Sequence, residues 1–145
     1  LYGGAFDINN RDSGCILVGA AESPLSSQHL HKSDFSNYGS RVDAFGYGGD
    51  VVTTGYGDLY SEAAVGQTVS YTASFSGTSS ATPIVAGSVA ATLGMAKAKG
   101  VNVTGKQIRE ALHQTGTEQA GGGESSHIGR LPDLRQIAKY LNLTE

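Results

Sequence analysis

The spacing of apolar and polar positions divides the chain into a strand-rich first half and a helical second half. Cys15-Ile16-Leu17-Val18 is a short apolar run stopped by Gly19, which predicts a buried strand. Residues 22–40 are polar and punctuated by Pro24, Ser26, Ser27 and Ser36-Asn37, the pattern of a loop. Val42 to Phe45 and Val51 to Thr54 predict two short strands around a turn containing Gly46, Gly48 and Gly49. Val69 to Phe75 alternates weakly and predicts another strand.

Three helices follow. The first runs from near Ser79 to about Lys99, is rich in small residues and is closed by Gly100. The second opens on Thr104 and Gln107, a capping-box pair, with Val103 and Ile108 as a hydrophobic staple. Ile108, Ala111 and Leu112 form its apolar stripe, and Gly116 ends it. The third starts at Pro132 and places Leu134, Ile137, Ala138 and Leu141 on one buried face. A loop with Gly121-Gly122-Gly123 joins the last two helices. Strands first and helices last, with connections of mixed length, predict an α/β layer structure.

Composition narrows this picture. A chain of 145 residues is the size of one domain. Charged residues are 16%, against about 25% in ordinary domains, and the 21 glycines are about twice the average share. Such a chain has many turns and close backbone approaches, and it lacks the high charge of a disordered protein. The net charge of −3 argues against a nucleic-acid or anionic-membrane partner, either of which calls for a basic face. Cys15 is alone, so no disulfide forms within the chain. No Cys/His cluster has zinc spacing, and His29 and His31 read as a loop pair. Residues 63–96 carry no charge, but their apolar part, Ala81 to Met95, contains Thr82, Pro83, Ser88 and Thr92 and is too short to cross a bilayer. A buried core helix fits better. The opening LYGGAFD has no Met and no signal-peptide pattern, so the chain is expected to begin partway into a longer protein.

The densest chemical signal is Gly77-Thr78-Ser79-Ser80-Ala81-Thr82-Pro83, followed by Val85-Ala86-Gly87. Ser79 falls where a Gly-flanked turn enters a helix, at the positive end of the helix dipole. Free N–H groups of the first turn could there receive a developing oxyanion. Gly77 allows close approach to a substrate, and Pro83 is expected within the first turn, where its missing N–H costs nothing. The simpler alternative is that Ser79 or Ser80 merely caps the helix.

This run resembles the nucleophile motif of the subtilisin-like serine peptidases, the subtilases (peptidase family S8), with Ser79 on the nucleophile. Asp12-Ser13-Gly14-Cys15-Ile16-Leu17-Val18-Gly19-Ala20 resembles the strand after the family's oxyanion segment. Phe35-Ser36-Asn37-Tyr38-Gly39 with Val42-Asp43 resembles another of its conserved-pattern regions, and the resemblance covers nearly the whole chain. The departures are Ile84 where the family has His, Ser80 where it often has Met, and Ala44-Phe45-Gly46 where it reads Ala-Pro-Gly. The family's triad runs Asp, His, Ser. Its D-S/T-G, H-G-T and A-A-G-N segments are not found here; Asp12-Ser13-Gly14 leads directly into the apolar strand, without an H-G-T run after it. No spacing directs His113 or His127, or Asp58 or Asp133, at Ser79, and His113 near a helix C-terminus is accounted for by the dipole.

The resemblance implies the C-terminal half of a three-layer α/β domain with a mainly parallel sheet, spanning residues 1–145. It implies a serine endopeptidase that forms an acyl-enzyme on Ser79. By this resemblance Thr78 supports the oxyanion, Ser76 hydrogen-bonds substrate backbone, Gly77 gives substrate access and Phe75 meets the leaving-group side, with ordinary strand packing as the alternative for Phe75. Asp43 matches a cation-binding position of some members, which Arg41 nearby opposes. The implied partners are a peptide or protein substrate and an N-terminal portion or separate chain carrying the triad Asp and His and the oxyanion Asn. No cofactor or metal is implied for the chemistry, structural calcium being an open possibility, and the implied location is extracellular. The sequons at Asn102 and Asn142 matter only in a eukaryotic secretory setting. The rival reading is a non-catalytic binding or structural module that keeps the subtilase shape.

Overall fold

The computed structural model describes residues 4, 7–62 and 69–144. The opening residues 1–3 and 5–6, and the start of the charge-free stretch at 63–68, lie outside the described residues. The architecture is α/β. Strands β1 (Val18–Ala21), β2 (Ala44–Tyr47), β3 (Val51–Thr54) and β4 (Tyr71–Phe75) come first. Helices α1 (Thr78–Ala98) and α2 (Gly105–Gln114) follow, then two-residue strands β5 (Thr117–Glu118) and β6 (Arg130–Leu131), and helix α3 (Leu134–Tyr140).

The main sheet has the order β1-β2-β6-β5, with β1 on an edge. β1 and β6 both run parallel to β2, and β5 is antiparallel to β6. Alternation along β2 sends neighbouring side chains to opposite faces. Ala44 packs with Val85, Ile108, Ala111, Leu112 and Ile137 on the helical side. Phe45 packs with Ala21, Val42 and Ile128 on the other.

Three expectations shift. The first strand lies three residues later than the apolar run, because Gly19 belongs to it and does not end it. A Cβ at Gly19 would lie 2.9 Å from Ile128 Cβ, so the glycine makes room for packing. β2 and β3 do not form one hairpin: β3 pairs antiparallel with β4 in a separate two-stranded sheet. In α3, Asp133 is the N-cap and Pro132 precedes it, while Leu134 is exposed and Ile137 and Ala138 are buried. The capping box of α2 forms as the sequence indicates: the Thr104 side chain accepts from the Gln107 N–H and the Gln107 side chain accepts from the Thr104 N–H.

α1 is buried along Ser80, Ala81, Val85, Thr92 and Ala96. Three of its hydroxyls are satisfied within the helix: Thr82 donates to the Thr78 carbonyl, Ser88 to the Ile84 carbonyl and Thr92 to the Ser88 carbonyl. Among the described residues no helix is long and apolar enough to cross a membrane.

Candidate active site

The chain leaves β4 at Phe75, passes Ser76 and turns at Gly77 into α1. Gly77 has φ 95° and ψ 172°, backbone that side-chain-bearing residues rarely adopt. Its N–H donates to the Gly48 carbonyl at 2.9 Å. Ser80 Oγ lies 2.8 Å from the Tyr47 carbonyl and 2.9 Å from that of Gly77, so its proton ties the helix start to the end of β2. β2 can come this close because residue 46 is glycine; a Cβ there would sit 2.5 Å from the Ala81 carbonyl oxygen and 2.9 Å from Ala81 Cα. The start of α1 therefore rests on bare backbone at the C-terminal end of a parallel strand, the edge where α/β sheets bind ligands.

This geometry removes the simple capping alternative. The N-cap is Gly77, with no side-chain cap bond, so Ser79 is the second helical residue and Ser80 the third. Ser80 is fully buried and its hydroxyl is held by carbonyls. Ser79 is exposed, and no hydrogen bond to its hydroxyl occurs among the described residues. The Ser80 N–H is taken by Gly77. Earlier N–H groups of a helix have no intrahelical acceptor and face an incoming anion with the dipole behind them. Thr78, half-buried, is the first helical residue, Ser76 is exposed, and Phe75 is half-buried with its ring 6.2 Å from that of Tyr56. The five site residues are thus contiguous. One local expectation changes: Pro83 is the sixth helical residue, beyond the first turn. The N–H it lacks is the one that would bond the Ser79 carbonyl, so that carbonyl has no helical donor.

Three of the four histidines, together with Asp12 and Asp43, are engaged elsewhere. His113 Nε2 lies 2.9 Å from Asp43 Oδ1, and His29 Nε2 lies 3.3 Å from the Tyr47 hydroxyl. His31 Nδ1 faces the Gln28 carbonyl at 3.1 Å. Asp12 is gripped by both Arg109 terminal nitrogens at 2.8 Å, and with help from the Gly14 N–H this holds its carboxyl far below the usual range. Asp43, 3% exposed, receives the Leu17 N–H and Arg41 Nη1, each at 2.6 Å. Arg41 and His113 occupy the oxygens that a cation would need. Among the described residues, no group of three or more His, Cys, Asp or Glu side chains could hold a metal ion.

Gly46, Tyr47, Gly48 and the anchoring role of Ser80 went unread in the sequence. Gly46 and Gly48 carry the signature of a turn, and nothing local reveals that a helix 30 residues on packs against them.

The sequence model of the subtilase family matches residues 6–130, a span that contains every residue of this site. No curated protein sequence matches the chain.

Proposed function

The chain belongs to the subtilase family of serine peptidases, and from that membership we propose that Ser79 is the nucleophile of a serine endopeptidase. Ser79 Oγ attacks the scissile carbonyl and forms a new C–O bond. Its proton passes to a histidine, and from there to the leaving amine as the C–N bond breaks. Water then hydrolyses the ester on Ser79. The charge that develops on the carbonyl oxygen is met by the α1 N-terminus, with the Thr78 hydroxyl in support. Ser76 bonds substrate backbone, Gly77 leaves the approach open, and Phe75 meets the leaving-group side. The chemistry requires no cofactor. The observation that carries this reading is the exposed Ser79 hydroxyl at the start of a 21-residue helix, with neighbouring Ser80 spent on anchoring.

The histidine, its orienting aspartate and the oxyanion asparagine are proposed to come from an N-terminal portion or a separate chain. Two features support such a partner. β1 is the terminal strand of its sheet: residues 32–36 bond its outer side at Ala20 and Ala21, but no strand covers it at Val18 among the described residues. Beside it, Ile16, Val18, Thr82, Ala86, Val89 and Leu93 line an apolar groove of about 300 Å³. Unpaired edges and open apolar faces are surfaces that folded proteins cover. The test is fluorophosphonate labelling of the chain assembled with that portion. The expected result is a label on Ser79 that Ser79→Ala abolishes; an assembled protein that takes no label would sink the reading and favour a non-catalytic module.

A further inference from the structure

Tyr56 has a conformation that ordinary loop residues avoid. Its φ is 46°, and its neighbours Gly55 and Gly57 have φ 126° and 88°. Three consecutive positive φ values, one on a bulky aromatic residue, need support from their surroundings. That support is visible on both sides. The Gly55 N–H donates to the Ser70 carbonyl at 2.8 Å. Two residues beyond Tyr56, the Asp58 carboxylate accepts from the Ala73 N–H at 3.0 Å and the Ser74 hydroxyl at 3.3 Å. The β3–β4 connection is thus clamped onto β4 just before Phe75.

The clamp holds an aromatic ring in solvent. Tyr56 is 77% exposed, yet its ring centroid lies 6.2 Å from that of Phe75 at an interplanar angle of 42°. This is a tilted aromatic pair with one face of the outer ring unpacked. Phe75 ends β4, and the backbone from it reaches Ser79 in four residues. A strained turn that serves packing alone would bury its aromatic residue; this one presents it in solvent beside Phe75.

We propose that Tyr56 is a specificity-determining residue: with Phe75 it forms an aromatic shelf for a bulky apolar side chain on the leaving-group side of the scissile bond. The proposal rests on the peptidase reading of Ser79 and on the place of Phe75 given above. The preferred substrates are polypeptides with Phe, Tyr or Leu shortly after the cleaved bond. Asp58 adds a negative charge at the rim, which disfavours an acidic residue there.

The experiment uses the protease assembled with its N-terminal portion. Two quenched fluorescent peptides are compared, identical up to the scissile bond and carrying Phe or Gly at the two positions after it. The wild type should favour the Phe peptide in kcat/KM by about tenfold, the usual order for filling an apolar site. Tyr56→Gly, which accepts the positive φ without strain, should bring that ratio close to one, and Tyr56→Phe should restore it. Val52→Ala, on an exposed residue of β3, should leave the ratio as it is. An unchanged ratio in Tyr56→Gly, or no preference in the wild type, overturns the proposal while Ser79 still takes a fluorophosphonate label. Absence of both cleavage and label in the wild type instead fells the peptidase reading, and this inference with it.

Discussion

His113 on α2 and Asp43 at the foot of β2, 70 residues apart in the chain, meet at 2.9 Å between Nε2 and Oδ1. The pair has the composition of a catalytic dyad, but its position excludes that role toward Ser79. Asp43 precedes β2, whereas α1 begins against Tyr47 and Gly48 at the strand's other end. Four residues of strand, about 13 Å, separate the two places. The Asp43 carboxylate, also bonded to Arg41 and the Leu17 N–H, therefore staples α2 and the Arg41 loop to the sheet.

The first prediction follows from this pair. Asp43→Ala leaves Arg41 and His113 without their shared acceptor and should cost roughly 3–5 kcal/mol. His113→Ala leaves the carboxylate two donors and should cost about 1 kcal/mol. Denaturant unfolding of the assembled protease measures both. Fluorophosphonate labelling of Ser79 should survive His113→Ala. Loss of the label in a variant that still unfolds cooperatively would make His113 a base after all.

The second prediction concerns acid. Asp12 is held far below its ordinary value by Arg109, Asp58 by the Thr72 hydroxyl and the Ala73 N–H, and Asp133 by the Gln136 and Arg135 N–H groups. A carboxyl depressed in the folded state binds a proton more readily in the unfolded chain. It contributes stability above its unfolded value, about pH 4, and loses it as the pH falls toward the folded value. Stability should thus fall with acid below about pH 4, and Asp12→Asn should flatten that limb while lowering stability at pH 7. Parallel acid limbs for variant and wild type would refute the linkage.

These groups also show what the sequence makes legible. The capping box of α2, the extent of α1 and the placing of Ser79 at a helix start are local properties, written in side-chain spacing over a few residues. Asp12 with Arg109, and Asp43 with His113, join residues far apart in the chain, and no spacing announces such contacts. The two-residue strands β5 and β6 are too short to show any period. Gly19 and Gly46 read as breaks but serve as clearances, because a glycine's local signature is the same whether the chain turns there or another element presses against it.

The third prediction tests the clearance at Gly46. The β2 backbone passes so near Ala81 that an added methyl would overlap a main-chain carbonyl. A flexible side chain cannot relieve that clash, so β2 and the start of α1 must separate. Gly46→Ala should strain the Ser80 bond to the Tyr47 carbonyl and cost about 1–3 kcal/mol or more. It should also slow labelling of Ser79. Gly49→Ala, three residues on, meets nothing within 4 Å and serves as the control. Equal labelling and equal stability in the two variants would show that the helix start does not depend on contact with β2.

The fourth prediction concerns this chain by itself. At its Val18 end the β1 edge has no neighbouring strand among the described residues, and the groove beside it leaves apolar atoms of Val18, Val89 and Leu93 open to water. The two surfaces adjoin, so a second copy or an unrelated strand can add to the edge while burying its side chains in the groove, the geometry that leads to aggregation. The uncharged face of α1 provides no repulsion against this, since no charge occurs from residue 63 to residue 96. The isolated chain should accordingly be insoluble or molten, and should gain a sharp melt and near-UV dichroism only when folded with the proposed N-terminal portion. It should also show no turnover, since loss of a triad member lowers a subtilisin's kcat by up to about 10⁶-fold. Two measurements on the purified chain decide the matter: its melting curve as a monomer, and casein cleavage compared with Ser79→Ala. A cooperative monomeric melt would mean that the edge and groove need no cover. Cleavage that depends on Ser79 would mean that the base lies within these 145 residues.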